Sequence, residues 1–479
     1  MPSIFETDAA LDKLATTAIT RTKELMAQSD KLRDRREKAN RKRVARLFKD
    51  PKAIEATITL TDEVMRISSV KSSSRIFRRA AKKASIKGFG PLNGIGLHAI
   101  GVISNVLPTP VVAAVHQRVR ALSKDLILAS EAEKLSKHLG KRTEKGISLN
   151  INVLGEAVLG DHEAELRFQS ILEMMRRPEV NYISVKLSSI VAQLIIIDVE
   201  GSINRVSEKM RILYREAIQH GVFVNLDMEE YRDLPMTVAA FMRVLDESEF
   251  ESMKAGIVLQ AYLPESHQFF AQLVDWSKAR YARSGGTIKV RLVKGANLAM
   301  ERAEAELHGW SSAPYRSKSD VDASYVRLVD AALRPEHSKA VRIGIASHNL
   351  FHMTWALEVA KSRGVVDQID IEMLEGMANA EALAVTRAGQ PVLLYAPVTR
   401  KDDFAAAVAY LLLSVIWRED VQVPSLRSSL AVVYLIFIGS IVAFTAFTYL
   451  ISHVSGPLAM SYAYVNPAIA VLLGVVFSD

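Results

Sequence analysis

The residues of this sequence that could carry chemistry recur at one kind of place, the end of a short apolar run. Seven consecutive runs end in, or are closely followed by, ionisable, amide or phenolic side chains. These are Lys186, Asp227 with Glu229, Gln260 with Tyr262, Arg291 with Lys294, His348 with Asn349, Glu372 with Glu375, and Tyr395. One such residue alone would be an ordinary polar group at a sheet edge. Seven in succession indicate the site of an enzyme.

Two of these residues are lysines, and they allow two kinds of mechanism. Lys186 or Lys294 could form a Schiff base with a carbonyl substrate. Alternatively, the cations could stabilise a cofactor that becomes anionic on reduction, with hydride transfer as the reaction. Gly295 would let the backbone approach a flat or phosphorylated ligand. His348 and His352 have the spacing of a metal-binding pair, but no acidic third ligand lies beside them, so we expect no metal.

The apolar runs themselves are the elements that must position these residues. The runs cover residues 147–154, 183–187, 222–226, 256–263, 288–293, 341–346, 369–374 and 391–395. Most begin roughly 30 to 50 residues apart, which leaves room for a crossover helix between parallel strands. Eight β/α units in about 250 residues predict an α/β fold, a (βα)8 TIM-like barrel, whose chemistry lies at the C-terminal strand ends.

The regions on either side of the predicted barrel differ from it in composition. The chain carries a net charge of +8, and residues 1–90 hold 22 basic and 11 acidic side chains. We interpret residues 1–145 as a helical basic arm and residues 31–46 as a solvated helix face, with no nucleic acid expected. The pattern Gly94-Ile-Gly is similar to a dinucleotide-binding turn, but no strand precedes it, so we predict a loop.

The far end of the chain is apolar. Residues 430–478 contain no Asp, Glu, Lys or Arg, and a helix over residues 431–451 would be roughly 31 Å long. We predict that residues 413–479 form a two-helix transmembrane tail with spans at 431–451 and 459–477. The alternative is a buried helix pair in a cytoplasmic protein. The chain has no cysteine, which excludes disulfides and a Cys nucleophile, and no signal peptide is expected.

Eight stretches, in order, resemble the proline dehydrogenase domain of bacterial bifunctional proline-utilisation flavoproteins, a likeness that covers residues 1–412. The stretches are Ser184-Val-Lys-Leu-Ser-Ser, Val224-Asn-Leu-Asp-Met-Glu-Glu, Val258-Leu-Gln-Ala-Tyr-Leu-Pro, Arg291-Leu-Val-Lys-Gly-Ala-Asn, Tyr315-Arg-Ser-Lys with Asp320-Val-Asp, Ala346-Ser-His-Asn, Glu372-Met-Leu-Glu-Gly-Met and Leu394-Tyr-Ala-Pro-Val. The likeness implies a barrel over residues 146–412 with non-covalent FAD.

The implied reaction is oxidation of L-proline to 1-pyrroline-5-carboxylate, in proline catabolism toward glutamate, with electrons passed to a membrane quinone. By resemblance, Lys186, Asp227 and Tyr395 would line the proline pocket. The resemblance assigns the flavin to Gln260, Arg291, Val293, Gly295, Ala296, Lys318, Ser347, His348, Asn349 and Leu374. A cation such as Arg291 beside the isoalloxazine would stabilise reduced flavin.

One departure from the family pattern falls at the end of the barrel. After Tyr410-Leu-Leu the family has two arginines that clamp the substrate carboxylate, and this chain has Leu413 and Ser414. An Arg–carboxylate hydrogen bond contributes about 1.5–3 kcal/mol, so their loss predicts proline binding weaker by roughly 10²- to 10⁴-fold.

From residue 413 the chain resembles a fragment of the drug/metabolite transporter superfamily, at Ala431-Val-Val-Tyr-Leu-Ile-Phe-Ile-Gly-Ser and Ser461-Tyr-Ala-Tyr-Val-Asn-Pro. Two spans are too few for transport. We expect the protein to be located at the bacterial inner membrane, with the barrel on the cytoplasmic side. Three functions stay open: a membrane-tethered dehydrogenase, a flavin-binding protein without turnover, and a Schiff-base lyase.

Overall fold

A computed structural model of the chain describes residues 11–399, apart from 36, 40–41, 43–45, 47–48, 62–63, 65–68, 85, 124–126, 155–159, 193, 196 and 229. The predicted tail, residues 413–479, and both predicted membrane spans therefore lie outside the described residues. Within the described residues no helix is both long and apolar enough to cross a membrane.

The centre of the fold is a closed barrel of parallel strands. The strands are β1 (Leu128–Ala129), β2 (Ile147–Val153), β3 (Tyr182–Lys186), β4 (Phe223–Asp227), β5 (Ala255–Gln260), β6 (Ile288–Val293), β7 (Val341–Ala346), β8 (Ile369–Leu374) and β9 (Val392–Thr399). Strands β2 to β9 pair in sequence order, and β9 also pairs with β2, which closes the ring. The short β1 pairs in parallel with the last two residues of β9, Val398 and Thr399. The predicted eight-stranded α/β barrel is confirmed.

Helices precede the barrel and alternate with its strands. Before β2 lie α1 (Leu11–Leu32), α2 (Pro51–Thr61), α3 (Val70–Lys83), α4 (Ile86–Phe89), α5 (Pro91–Ile103), α6 (Pro108–Ser123) and α7 (Ala132–Thr143). After β2 come α8 (Asp161–Met175), α9 (Leu187–Ile190), α10 (Val199–His220), α11 (Leu234–Leu245), α12 (Ser266–Ser284), α13 (Leu298–His308), α14 (Lys318–Ala332), α15 (Leu350–Ser362) and α16 (Asn379–Arg387). Short 3-10 turns cover Tyr231–Asp233, Pro335–His337 and Val366–Gln368.

The first helix belongs to the outer layer of the barrel. Helix α1 packs against α15 and α16. The Thr354 hydroxyl donates to the carbonyl of Ala18 at 3.1 Å and lies 2.7 Å from the Thr22 hydroxyl. Just after the helix ends, the buried guanidinium of Arg33 pairs with Glu381 of α16. The solvated helix predicted over residues 31–46 is therefore wrong at its start, where α1 ends at Leu32 and Arg33 is buried against Glu381.

A second small core lies in the arm. Phe77, Ala80 and Ala81 of α3 pack with Leu60 and Val111. In the same region Gly94 and Gly96 lie inside α5, so the loop predicted there is wrong. Pro91 at the first position of α5 favours helix, and the apolar residues that follow continue it. A glycine pair inside a helix cannot form the strand–turn–helix geometry of a dinucleotide site.

The barrel strands alternate between an apolar outer face and a polar interior. In β6, Ile288, Val290 and Leu292 join the main apolar core, whereas Lys289 and Arg291 reach across the barrel to other strands. The interior also holds Ser184, whose hydroxyl oxygen accepts hydrogen bonds from the Asn150 and Asn225 amides at 2.9 and 3.4 Å. The barrel is thus filled by buried polar side chains rather than by apolar layers alone.

Two interior glycines make room for this polar filling. A Cβ added at Gly256 would lie 2.4 Å from Asn225 Oδ1, and one at Gly344 would lie 2.3 Å from Glu372 Oε1. Both distances are far shorter than van der Waals contact. The glycines therefore set the space in which Asn225 and Glu372 lie.

The Gly256→Ala variant tests this packing. We expect it to lower the free energy of unfolding by about 1–3 kcal/mol, because the new methyl group overpacks a filled interior. Chemical denaturation with circular dichroism provides the measurement. Gly140→Ala is the matched control, because no atom lies within 4 Å of its new Cβ in α7. An equal effect of the two substitutions would contradict the account of the interior.

Candidate active site

The strand register brings the predicted site residues to one edge of the barrel. Lys186 and Asp227 are register partners on neighbouring strands, as are Leu374 and Tyr395. Gln260 pairs with Val293 in the same way. Lys186, Asp227, Gln260, Val293 and Leu374 end their strands, where barrel enzymes place their chemistry. Tyr395 lies in the middle of β9, which continues to Thr399, so the run predicted to end at residue 395 is too short.

Asp227, Tyr395 and Arg291 form the centre of this edge. The Tyr395 hydroxyl donates to Asp227 Oδ2 at 2.7 Å, and Arg291 Nη1 lies 3.3 Å from Asp227 Oδ1. The Arg291 guanidinium also stacks over the Tyr395 ring, 4.6 Å from its centroid. The three side chains come from β4, β9 and β6, so they meet across the barrel rather than along one strand.

Arg291 carries a buried charge that is balanced on two sides. Its Nε lies 2.8 Å from Glu372 Oε2, opposite the contact with Asp227. Burial by itself lowers the pKa of Arg291, but the carboxylates of Glu372 and Asp227 outweigh burial and raise this pKa above its usual range. The guanidinium is therefore a permanent cation inside the barrel mouth.

Lys186 and Lys294, the two candidate Schiff-base lysines, differ in their surroundings. Lys186 ends β3 beside Asp227 and is half-buried. Lys294 follows β6, and its ammonium pairs with Asp322, which also accepts from Lys318 at 2.6 Å. Burial raises the pKa of Asp322, but the two lysines outweigh burial and lower it. The ion pair with Asp322 occupies the Lys294 ammonium, which disfavours Lys294 as a nucleophile.

Gly295 lies directly against an aromatic ring. Its φ is +119°, and a Cβ there would lie 2.4 Å from the Tyr262 ring. Backbone pairing continues past the strand ends, with the Tyr262 amide donating to the Lys294 carbonyl at 2.8 Å. Ala296 follows on the exposed side of this turn. Only glycine therefore allows the chain to turn at this position beside Tyr262.

The remaining predicted flavin residues gather at the ends of β7 and β8. The amide of Leu374 donates to His348 Nε2 at 3.1 Å, and the amide of Ser347 donates to the Glu372 carbonyl at 3.1 Å. Asn349 caps α15 by accepting from the amide of Phe351. Lys318 begins α14 and is exposed. Two helix N-termini and the two lysine ammoniums of Lys294 and Lys318 thus come to one side of the barrel mouth.

This donor set fits a flavin dinucleotide. Helix N-termini and lysines favour the anionic pyrophosphate, and a fixed guanidinium suits a ring system that gains electrons. The side-chain amide of Gln260 is buried at the end of β5 and donates to the Met228 carbonyl at 3.4 Å. The residues present therefore match the chemistry that the resemblance implies.

Two of the polar residues noted in the sequence, Glu375 and His352, have partners outside this group. Glu375 is fully buried and pairs with Arg142 of α7, with His138 Nε2 at 3.5 Å. His352 packs its ring 5.4 Å from that of Tyr325. Glu229 lies outside the described residues. Among the described residues, no group of three or more His, Cys, Asp or Glu could hold a metal ion.

Some residues of the site have no counterpart in the predicted set. Asn152 donates to the Tyr395 hydroxyl oxygen, and Asn225 Nδ2 donates to Asp227 Oδ1 at 3.1 Å. Lys289 lies 2.6 Å from Glu372 Oε1. Each is two residues from a predicted site residue or from a predicted strand end, on the inward face of its strand. Side chains alternate between the two faces of a strand, so counting two residues back from the predicted positions could have identified these three.

Charged and phenolic side chains converge at the C-terminal edge of this (βα)8 barrel. This arrangement is typical of TIM-barrel enzymes. The family model for proline dehydrogenase matches residues 135–412. The chain belongs to the proline dehydrogenase family.

Three similar proteins illustrate this membership and its extent. The structure of Proline Utilization A (PutA) from Corynebacterium freiburgense is 50% identical with a TM-score of 0.60, and the match covers 62% of this chain and 31% of that one. Proline dehydrogenase 2 of Bacillus subtilis is 25% identical over 258 residues, or 53% of this chain and 74% of the relative. A 74-residue segment is 54% identical to the uncharacterized inner membrane transporter YedA of Escherichia coli, covering 15% of this chain and 24% of the transporter. The chain thus spans under a third of the PutA chain and about a quarter of the transporter.

The buried His352 generates a pH-dependent prediction. Burial, and then the nearby Lys294 and Lys318, lower the pKa of His352 to about 4. An unfolded histidine has a pKa of about 6.5, so between these values the unfolded chain binds a proton that the folded chain does not. We therefore expect this contribution to stability to be present above pH 6.5 and to fall by roughly 3 kcal/mol as pH drops to 4.

Denaturation at several pH values, with and without His352→Gln, measures this effect. The variant should show a shallower loss of stability below pH 6.5. His308→Gln, at an exposed position on α13, is the control and should leave the slope unchanged. Equal slopes for the His352 variant and the unmodified chain would contradict the assignment.

Proposed function

We propose that this chain oxidises L-proline to 1-pyrroline-5-carboxylate with non-covalent FAD and passes the electrons to a membrane quinone. Family membership supports the substrate and the class of reaction. The single observation that carries the proposal is the buried, permanently charged Arg291 at the barrel mouth, in contact with Asp227 and Tyr395. We assign the proline pocket to Lys186, Asp227 and Tyr395.

The proposed substrate pocket is complementary to an amino acid. L-Proline carries a carboxylate and a ring amine, and Lys186 offers a cation beside the Asp227 carboxylate. The Tyr395 hydroxyl is held in place from two sides, by Asp227 and by Asn152. Side chains held in this way need little reorganisation when a substrate binds.

The flavin would supply the acceptor for the hydride that leaves the proline ring. Gln260, Arg291, Val293, Gly295, Ala296, Lys318, Ser347, His348, Asn349 and Leu374 would hold it. Arg291 would then act as a fixed cation in a site from which water is excluded. A preorganised charge of this kind stabilises developing negative charge more strongly than it would in water.

We propose three domains: the arm over 1–145, the barrel over 146–412, and a membrane tether over 413–479. The family match ends at residue 412, which supports the second boundary. The short match to an inner membrane transporter supports the tether. We place the barrel on the cytoplasmic side of the bacterial inner membrane as part of this proposal. A tether would hold the barrel close to the quinone pool.

A flavin-binding protein without turnover is the second candidate, and one observation favours it. Leu413 and Ser414 replace the two arginines expected at the end of the barrel. The Schiff-base lyase is the least supported function, because Lys294 is held in an ion pair with Asp322 and Lys186 is assigned here to the proline pocket.

The proposed activity is tested by product formation from L-proline with purified, FAD-supplemented protein and a soluble quinone. We expect formation of the cyclic imine, and we expect the Arg291→Met variant to lose at least about 10²-fold in kcat/KM, the typical effect of removing one charge-stabilising group. Arg243→Met is the matched control, because Arg243 lies on the outer surface and pairs with Glu200. Equal losses in both variants would argue against a role of Arg291 in the reaction.

Restoring the arginine pair separates the two leading candidates. The double variant Leu413→Arg/Ser414→Arg should lower the KM for L-proline by roughly 10²- to 10⁴-fold, because each guanidinium adds a charge-assisted bond to the carboxylate. Ser428→Arg/Ser429→Arg adds the same charge outside the motif and should leave KM unchanged. An unchanged KM in a folded, flavin-loaded Leu413→Arg/Ser414→Arg variant would contradict the assignment of these two positions.

A further inference from the structure

A ladder of alternating charges runs through the barrel interior from the N-terminal end to the catalytic edge. We call it the ion-pair ladder, and it consists of Arg342, Asp370, Lys289, Glu372, Arg291 and Asp227. The three cations and three carboxylates alternate, so the ladder as a whole is neutral. Its members come from β4, β6, β7 and β8.

The contacts along the ladder are close throughout. Arg342 binds both oxygens of Asp370, at 2.6 and 3.0 Å. The Lys289 ammonium lies 2.9 Å from Asp370 Oδ2 and 2.6 Å from Glu372 Oε1. The second Glu372 oxygen lies 2.8 Å from Arg291 Nε. Glu372 is thus held between one lysine and one arginine.

The two ends of the ladder differ in their access to water. At the N-terminal end the Arg342 side chain is 42% exposed, and a cavity of about 330 Å³ is lined by Asp370 and Tyr182. In the middle, the Lys289 side chain is 3% exposed and that of Glu372 is 0% exposed. Water therefore cannot screen a change of charge at these two residues, and Arg291 is the next member of the ladder.

We propose that Lys289 is a positioning residue, which acts through Glu372 to hold the Arg291 guanidinium at the mouth and to keep the interior neutral. This inference rests on the proposed function, since it assigns Lys289 a part in setting how readily bound flavin accepts electrons. Burial alone lowers the pKa of Lys289, but Glu372 and Asp370 outweigh burial and raise it. Lys289 is therefore charged in the folded chain, and its ion pairs are with Asp370 and Glu372.

The charge balance makes opposite predictions for the two members of the pair. Lys289→Met replaces the lysine by a neutral side chain of similar length. The substitution leaves one excess negative charge in the interior, and Glu372 then neutralises the charge of Arg291 more fully. Flavin reduction should then become less favourable by roughly tenfold in its equilibrium constant, or about 30 mV for a two-electron couple. Glu372→Gln leaves one excess positive charge and should shift the potential upward by a similar amount.

The double variant Lys289→Met/Glu372→Gln provides the decisive control. It removes one charge of each sign, so the interior is neutral again, and its potential should return close to that of the unmodified chain. A purely structural role would instead add the two losses and would not give shifts of opposite sign. Lys361→Met, on the outer surface of α15, is the control for loss of a lysine charge elsewhere and should not move the potential.

The experiment is a reductive titration of the FAD-loaded full chain against a reference dye, without proline. Opposite shifts in the single variants with recovery in the double variant are the expected result. Shifts of the same sign, no shift in flavin-loaded single variants, or no recovery in the double variant would overturn the proposal. If Lys289→Met does not fold, an upward shift in Glu372→Gln that the double variant reverses still supports it.

Failure of the proposed function is recognised separately. If the unmodified chain holds no flavin, the flavin assignment fails, and the ladder is tested by thermal unfolding of the flavin-free protein. The double variant should then unfold at a higher temperature than either single variant, because each single variant leaves one buried charge without its partner. A double variant less stable than both single variants would overturn the pairing.

Discussion

The arrangement of side chains at the C-terminal edge of the barrel depends on one constraint, which is the burial of a guanidinium cation inside a closed barrel. A charge taken out of water is costly unless opposite charges lie beside it. Arg291 meets this requirement with Glu372 on one side and Asp227 on the other. The interior glycine Gly344 leaves the space that Glu372 occupies. Asp227 is in turn held by Asn225 and by the Tyr395 hydroxyl.

This constraint explains why the barrel interior is polar. An ordinary TIM barrel is filled by layers of branched apolar side chains. Here Lys289, Glu372 and Asp370 continue the charge balance below Arg291, toward the N-terminal end. The apolar packing lies instead on the outer face of the strands, against the helices. The fold obtains its stability outside the barrel and positions its chemistry inside.

Much of this arrangement could be predicted from the sequence. The eight strands follow from β-branched runs at regular intervals, and the polar residues in or just after the C-terminal halves of these runs include Asp227, Arg291 and Tyr395. Parallel register then makes it certain that residues at strand ends meet at one edge. Geometry alone does not identify the substrate or the cofactor, and the family resemblance suggests L-proline and FAD. The match to the proline dehydrogenase family supports L-proline as the substrate.

The parts that could not be predicted depend on contacts between distant residues. Glu375 follows a strand end as several of the proposed site residues do, yet it pairs with Arg142, more than two hundred positions earlier. Arg33 lies in a strongly basic stretch but is buried against Glu381. In both cases the local pattern is that of an exposed charge, and only tertiary packing supplies the partner. Lys289 differs, because its alternation with Arg291 in β6 was a readable signal of an inward charge.

Proline oxidation by a bound flavin is tested most directly by the visible spectrum of the purified, FAD-loaded chain, recorded anaerobically before and after L-proline is added. We predict a bound flavin band that L-proline bleaches, since the hydride leaves the substrate for the flavin. A bound flavin whose band L-proline leaves unchanged would contradict proline oxidation and indicate a flavin-binding barrel without turnover. Absence of any bound flavin would contradict the assignment of the site itself.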